Sequence, residues 1–339
     1  MTPRNERTLL FLGSQGYSGR LIREALPGSL KTIVASVSRG RSLADQLNAY
    51  GDNLCPGDLV LNCLGPFKET YHPVAEFCLT NGAHYFDICA DWHVVEALQQ
   101  LDGSARDAGI MLLPGIGFDV LASDCLAAHV HDRLPDASRL QIGISGLELI
   151  SRGSARTMQD LIGEPLRVRR RGQIVSDSRM VETQFDFGGG EQPALGVSWG
   201  DISTAWHSTK IPNIEVFFEA TPALSSAVFA NRTFGWMARS PFVGRAAKAI
   251  VSRMPPGPQD LTRNTRSATV VARARNDSGR QAESRLHTRE AYSFTADAAC
   301  STLIHFSGMD CLPGFQTPTT ALGKDFVLGL PGCTRMDIK

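Results

Sequence analysis

Three glycines spaced three apart, Gly13, Gly16 and Gly19, stand between an apolar run, Thr8 to Leu12, and a stretch patterned as a helix, Arg20 to Leu26. Such a loop lets backbone N–H groups approach a ligand where any Cβ would obstruct it. The positive end of the following helix then faces negative charge, so the place suits a pyrophosphate. Gly13, Ser14, Gln15, Gly16, Tyr17 and Ser18 are therefore candidates for dinucleotide contact. A glycine-rich turn that merely caps a strand is the alternative. The strand before it and the helix after it favour the nucleotide.

The second strand, Lys31 to Val37, runs into Ser38-Arg39-Gly40-Arg41. In dinucleotide folds this strand end meets the adenosine ribose, where an acid selects NAD and an arginine accommodates the 2′-phosphate of NADP. No acid is present here. Ser38 and Arg39, with Arg41, predict NADP(H) ahead of NAD(H), a solvated basic turn being the alternative. A short helix, Ser42 to Ala49, is followed only by the loop Tyr50 to Gly57 before the next strand, Asp58 to Cys63. A third βα unit would normally fill this interval, so the sheet edge is expected to be trimmed. Asn62, Cys63, Leu64, Gly65, Pro66 and Phe67 leave the carboxyl end of that strand, where ligands gather in open α/β sheets.

Further strands are expected at His84–Ile88 and Ile110–Leu113, with a long helix at His93–Ala108 between them. Asp87, Asp91 and His93 cluster around the first of these strands. A helix from Phe118 to His131 carries Asp119, Ser123 and Asp124 in its first turns, where acids also serve simply as caps. Hydride transfer needs an acceptor carbon held against a nicotinamide, and a proton donor for the product. Asp91, Asp124 and Tyr85 are the expected catalytic residues. Phe118, Asp119, Ser123, Arg156 and His207 are expected on the substrate side, with His207 a further candidate donor.

The chain of 339 residues is long enough for about two domains. Its 34 basic and 34 acidic residues balance, which argues against nucleic acid as a partner. Eight cysteines lie scattered, without CxxC or metal-ligand spacing, so reduced thiols, no metal and a cytoplasmic location are expected. No run approaches the roughly 20 apolar residues of a membrane span.

These segments, taken in order, resemble the saccharopine dehydrogenase-like oxidoreductases, in particular short stand-alone bacterial members similar to trans-acting enoyl reductases. The likeness rests on Gly13 to Gly19, Asn62 to Phe67, His84 to Ile88, Pro114 to Val120 with Ser123-Asp124, Ser154 to Met158, Pro212 to Val216, Gly314 to Pro318 and Asp325 to Leu328. It implies an α/β fold: a Rossmann-type doubly wound parallel sheet, with an α+β domain built on an antiparallel sheet and inserted after the sixth strand. It also implies reductase chemistry with NADP(H). The chain departs from the family pattern in its shortened third unit, at Ser38-Arg39-Gly40 and at Cys89-Ala90-Asp91.

The first domain is expected over 1–130, completed by about 308–339, and the second over 131–307. In the second domain, Arg167, Arg169, Arg170 and Arg171 read as a solvated hairpin. Leu224 to Met254 contains five basic residues and no acid, interleaved with aromatics. It suits a lid over an apolar substrate, a dock for an acidic carrier, a peripheral membrane contact, or a helical pair with its basic face in water. The expected activity is hydride transfer to a C=N or C=C bond of a small, apolar or carrier-bound metabolite by a homodimer. The rival is a non-catalytic NADP-binding sensor or scaffold.

Overall fold

A computed structural model of the chain describes residues 7–38, 40–147, 150–160, 164–177, 182–222, 224–226, 233 and 249–338. Arg39 and most of Leu224 to Met254 lie outside the described residues. Two compact units are formed, one from Met1–Cys125 and Tyr292–Cys333, the other from Leu126–Ala291 and Thr334–Lys339.

In the first unit the elements run β1 (Leu9–Leu12), α1 (Tyr17–Ala25), β2 (Thr32–Ala35), α2 (Leu43–Gly51), β3 (Leu59–Asn62), α3 (Phe67–Asn81), β4 (His84–Asp87), α4 (Trp92–Gln100), α5 (Asp102–Asp107) and β5 (Met111–Leu113). The sheet is parallel, in the order Gly314–Phe315, β5, β4, β3, β1, β2. Strands with both faces covered must be apolar throughout, and β1 is: Leu10 and Leu12 enter one core, Leu9 and Phe11 the other, all fully buried. Each such side chain contributes about 1.5–3 kcal/mol by leaving water. α2 to α5 cover the first face. The second is covered by α1 and the helix Ala291–Gly308, through Ala296, Ala299, Cys300, Leu303 and Phe306.

β2 is the sheet's edge, and from it α2 leads back to β3 on the other side of β1. The third unit is thus missing, and the long excursion of the chain follows the fifth strand rather than a sixth. Two helices, α4 and α5, replace the single one expected over His93–Ala108. Beyond β5 the chain makes a π-helical turn, Phe118–Ala122, before α6 (Ser123–Arg133).

The second unit adds β6 (Arg139–Ser145), α7 (Arg152–Asp160), β7 (Leu166–Arg170), β8 (Gln173–Asp177), β9 (Glu182–Asp186), β10 (Glu191–Val197), α8 (Asp201–Thr209), β11 (Asn213–Glu219), β12 (Ser267–Arg275) and β13 (Gln281–Arg289). With Thr334–Asp337 these strands make a nine-stranded sheet. It is antiparallel except where β6 and β11 run parallel. The last strand corrects the expectation that the whole tail returns to the first domain. Thr334–Asp337 pairs with β13 instead, supplying partners to N–H and C=O groups that an edge strand would leave open. The helix Ala291–Gly308, expected in the second domain, packs on the first sheet because its apolar face matches that core.

Candidate active site

The three glycines of the loop do different work. Gly13 has φ +80°, and a Cβ there would lie 2.6 Å from the Cys63 carbonyl at the end of β3. A Cβ on Gly19 would collide with the Gly13 carbonyl. Both positions are fixed by the fold. Gly16 is different: its conformation is extended, its N–H donates to Gly13 O at 3.0 Å, and an added Cβ would meet only that oxygen, at 3.3 Å. Gly16 caps α1 without a side-chain acceptor, and the first turn of α1 holds no acid. Beside it, Ser14 Oγ is buried with no hydrogen-bond partner in the protein. An uncapped helix end, a side-chain-free approach and an orphaned buried hydroxyl together fit a dinucleotide phosphate.

At the end of β2, Ser38 and Arg41 are exposed. Gln46 of α2 sets this turn, accepting from Ser38 N at 2.7 Å and donating to Ser38 O at 3.1 Å. At the end of β3, Asn62 is wholly buried: its Oδ1 accepts from Leu64 N and its Nδ2 donates to Thr70 Oγ1. Thr70 in turn donates to Leu64 O at 2.7 Å. Asn62 therefore shapes the Cys63 to Phe67 turn. Thr70, three residues into α3, is a positioning residue that the sequence did not single out, because a threonine in a first helical turn carries no distinctive signal.

Asp87, at the end of β4, is the hub that ties two strand ends together. Its carboxylate accepts from Tyr85 Oη at 2.6 Å, Cys89 N at 2.8 Å and Gly115 N at 2.9 Å. Tyr85, expected from sequence as a catalytic residue, is fully buried in that bond. Asp91 caps α4, accepting from His93 N and pairing with His93 Nδ1 at 2.9 Å and Lys68 Nζ at 3.6 Å. Burial acts to raise its pKa, but the bonds to His93 and the Lys68 charge outweigh it and hold the carboxyl below its ordinary range. Asp91 is thus an anion, suited to stabilising positive charge and poorly suited to giving up a proton.

Asp124 is buried and accepts from Thr319 N at 2.8 Å, anchoring the helix Pro318–Leu322. Ser123, also buried, donates to Val120 O. Phe118 packs edge-on against Phe294, and its N–H donates to Thr295 Oγ1. These three belong to the interior because the π turn rolls them inward. Asp119, on the same turn, keeps partial exposure, and burial raises its pKa to about 6. Its charge and those of Asp87 and Asp91 all bear on the Cys89 thiol, so the three acids gather around the end of β4. Arg156 of α7 and His207 of α8 are half-buried in the second unit.

Burial also raises Asp87 to about 6, against the opposing bonds from Tyr85, Cys89 and Gly115. A carboxyl with its folded pKa above the unfolded one stabilises the fold fully below the unfolded value, and loses that contribution as pH rises through the folded value. Asp87→Asn should therefore remove a decline in stability between about pH 4 and about pH 6. The check is the difference in urea midpoints between variant and wild type across that window. A difference that does not vary with pH would remove Asp87 as a titrating group.

Among the described residues no group of three His, Cys, Asp or Glu could hold a metal, and no helix is long and apolar enough to cross a membrane. Residues 19–113 match the model of the saccharopine dehydrogenase NADP-binding domain. The saccharopine dehydrogenase-like oxidoreductase of Mus musculus is 27% identical over 106 residues, covering 31% of this chain and 23% of that protein. The Homo sapiens protein of that name is 25% identical over 116 residues, covering 34% of this chain and 25% of its own. The chain thus spans about a quarter of the length of these curated relatives. The apo saccharopine dehydrogenase (L-Glu forming) of Saccharomyces cerevisiae matches in fold, with TM-score 0.56 and 11% identity over 98% of this chain and 100% of that one. Residues 19–113 thus match an NADP-binding domain of the saccharopine dehydrogenase type, and the chain as a whole resembles saccharopine dehydrogenase in fold.

Proposed function

We propose that the protein is an NADPH-dependent reductase that delivers hydride to a C=N or C=C bond of a small, apolar or carrier-bound metabolite. The observation that carries this reading is the pairing of an open Gly16 with the unpartnered, buried Ser14 hydroxyl at the start of α1, immediately before residues 19–113, which match an NADP-binding domain. Gly13 to Ser18 would hold the pyrophosphate, Ser38 and Arg41 with Arg39 the 2′-phosphate, and the Cys63 to Phe67 turn the nicotinamide side. When bound, the dinucleotide supplies the hydride.

The protein's own part is proton delivery and charge placement. Asp119, partly exposed and raised by burial to about 6, keeps a useful protonated fraction near neutral pH and is the proton donor. Asp87 and Tyr85 fix the end of β4 on which the site is built. Ionised Asp91 favours a protonated, electrophilic imine, which ranks C=N ahead of C=C.

A fluorescence titration with NADPH, followed by a turnover screen over cyclic imines and enoyl thioesters, tests the reading. Failure to bind NADPH overturns it, and binding without turnover of either class supports the sensor instead. Arg39→Ala and Arg41→Ala should each weaken NADPH by up to about 1.5–3 kcal/mol if they pair with the 2′-phosphate, and leave NADH unchanged. Equal effects on both cofactors would remove these arginines from the selectivity role.

A further inference from the structure

Arg167, Arg169, Arg170 and Arg171 lie on the expected hairpin, but only Arg171, at its turn, is exposed. Arg169 is buried, donating to Ile202 O and to Gly172 O beneath the Trp206 ring. Arg170 pairs with Glu215 and with Asp177. Arg170 and Arg171 are joined by arginines from neighbouring strands. β6, β7, β11 and β12 enclose a cavity of about 550 Å³ on one face of the sheet, into which Arg139, Arg170, Arg171, Arg273 and Arg275 converge. Among the described residues that line it, Glu215 is the one acid.

This charge is built by register. Arg139 lies opposite Arg275, and Gln141 opposite Arg273, in the β6–β12 ladder. Asn213 and Glu215 lie opposite Arg139 and Gln141 in the β6–β11 ladder. All six therefore point to the same side, while the alternate residues Leu140, Ile142, Ile214, Ala272 and Ala274 are buried on the other. The floor is fixed in place. Gln141 Nε2 donates to Glu215 at 3.0 Å, and Glu215 also holds Arg170. Arg273 is pinned by Glu283 at 2.7 Å and stacked over Phe185. Above this floor, Arg139, Arg171 and Arg275 have no acid paired with them among the described residues, and Arg171 is held at φ +49° by the hairpin turn with its N–H on Asn213.

We propose that this cavity is a binding site for a small phosphorylated metabolite, separate from the nucleotide loop. Guanidinium forks match phosphate oxygens bidentately, and the excess of arginine over acid calls for a ligand of two or more negative charges. The volume lies within the roughly 300–1,000 Å³ of small-molecule sites, and the concave shape favours such a ligand over an extended polyanion. Gln141 on the same face can add a hydrogen bond to its uncharged part.

The test is calorimetric titration of pyrophosphate into the full chain with NADPH present in excess, so that the loop at Gly16 is filled. One-to-one binding is expected, about tenfold or more weaker in Arg171→Ala and in Arg275→Ala. Both residues are exposed, so the melting temperature of each variant should match wild type. A charge reversal, Arg139→Glu, should abolish the binding. Absence of binding to wild type overturns the proposal, as does binding that all three folded variants retain. The variants locate the site whether or not NADPH occupies the loop, so a failure here is distinguishable from a failure of the reductase reading. Preference for a long single-stranded oligonucleotide over pyrophosphate would also overturn it.

Discussion

Gly16→Val should abolish NADPH binding while leaving circular dichroism and the melting temperature close to wild type. The reason lies in what each glycine of the loop touches. A side chain at Gly13 or Gly19 strikes backbone within the protein itself, at Cys63 and at Gly13 respectively, so those substitutions should damage the fold. At Gly16 a Cβ meets a single carbonyl oxygen at 3.3 Å, a contact that a shift of a few tenths of an ångström relieves. Valine there would instead occupy the space through which phosphate approaches the end of α1. Losing one or two charge-assisted hydrogen bonds costs about 1.5–3 kcal/mol each, enough to move a micromolar ligand beyond the measurable range. Gly16→Ala serves as the milder step, with a partial loss expected. Normal NADPH affinity in a folded Gly16→Val protein would mean that the phosphates lie elsewhere.

Much of the first unit was legible because parallel strands buried on both faces are largely apolar runs: β1 and β5 are wholly apolar, β3 is apolar up to Asn62, and β4 carries Tyr85-Phe86 between His84 and Asp87. The absent third unit was legible for a simpler reason: Tyr50 to Gly57 is too short to contain a strand and a helix. The tail was not. Thr334–Asp337 has an exposed, unpatterned sequence, and it forms a strand only because β13 presents an edge to it. The π turn at Phe118 was equally hidden, since one inserted residue leaves helical periodicity almost intact while rotating Phe118, Ser123 and Asp124 into the interior. That rotation is why these three side chains are buried while Asp119 stays partly open. In the second unit, Leu140, Ile142 and Ile144 alternate with Gln141, Gly143 and Ser145, a pattern that marks β6 as a strand. It could not announce that the arginines of β6 and β12 share one cavity, because register across sheet neighbours is set by distant segments.

Asp119→Asn should lower kcat by about 10²–10⁴-fold, the range associated with a positioned general acid, while leaving NADPH affinity within about twofold. Asparagine keeps the size and partial polarity of the side chain but has no proton of suitable acidity to transfer. The pH profile separates this role from a structural one. Burial raises the Asp119 carboxyl to about 6, so the donor is protonated below that pH and ionised above it. Turnover in wild type should therefore fall as pH rises through about 6, and the residual activity of the variant should be flat across the same interval. Asp91→Asn supplies the contrast. It removes an anion that His93 and Lys68 hold ionised, so it should weaken an imine substrate through the loss of charge without moving the limb near 6. If Asp119→Asn retains wild-type turnover, or loses turnover with the same pH dependence as wild type, the proton comes from another group, and the placement of the acid on the turn after β5 is wrong.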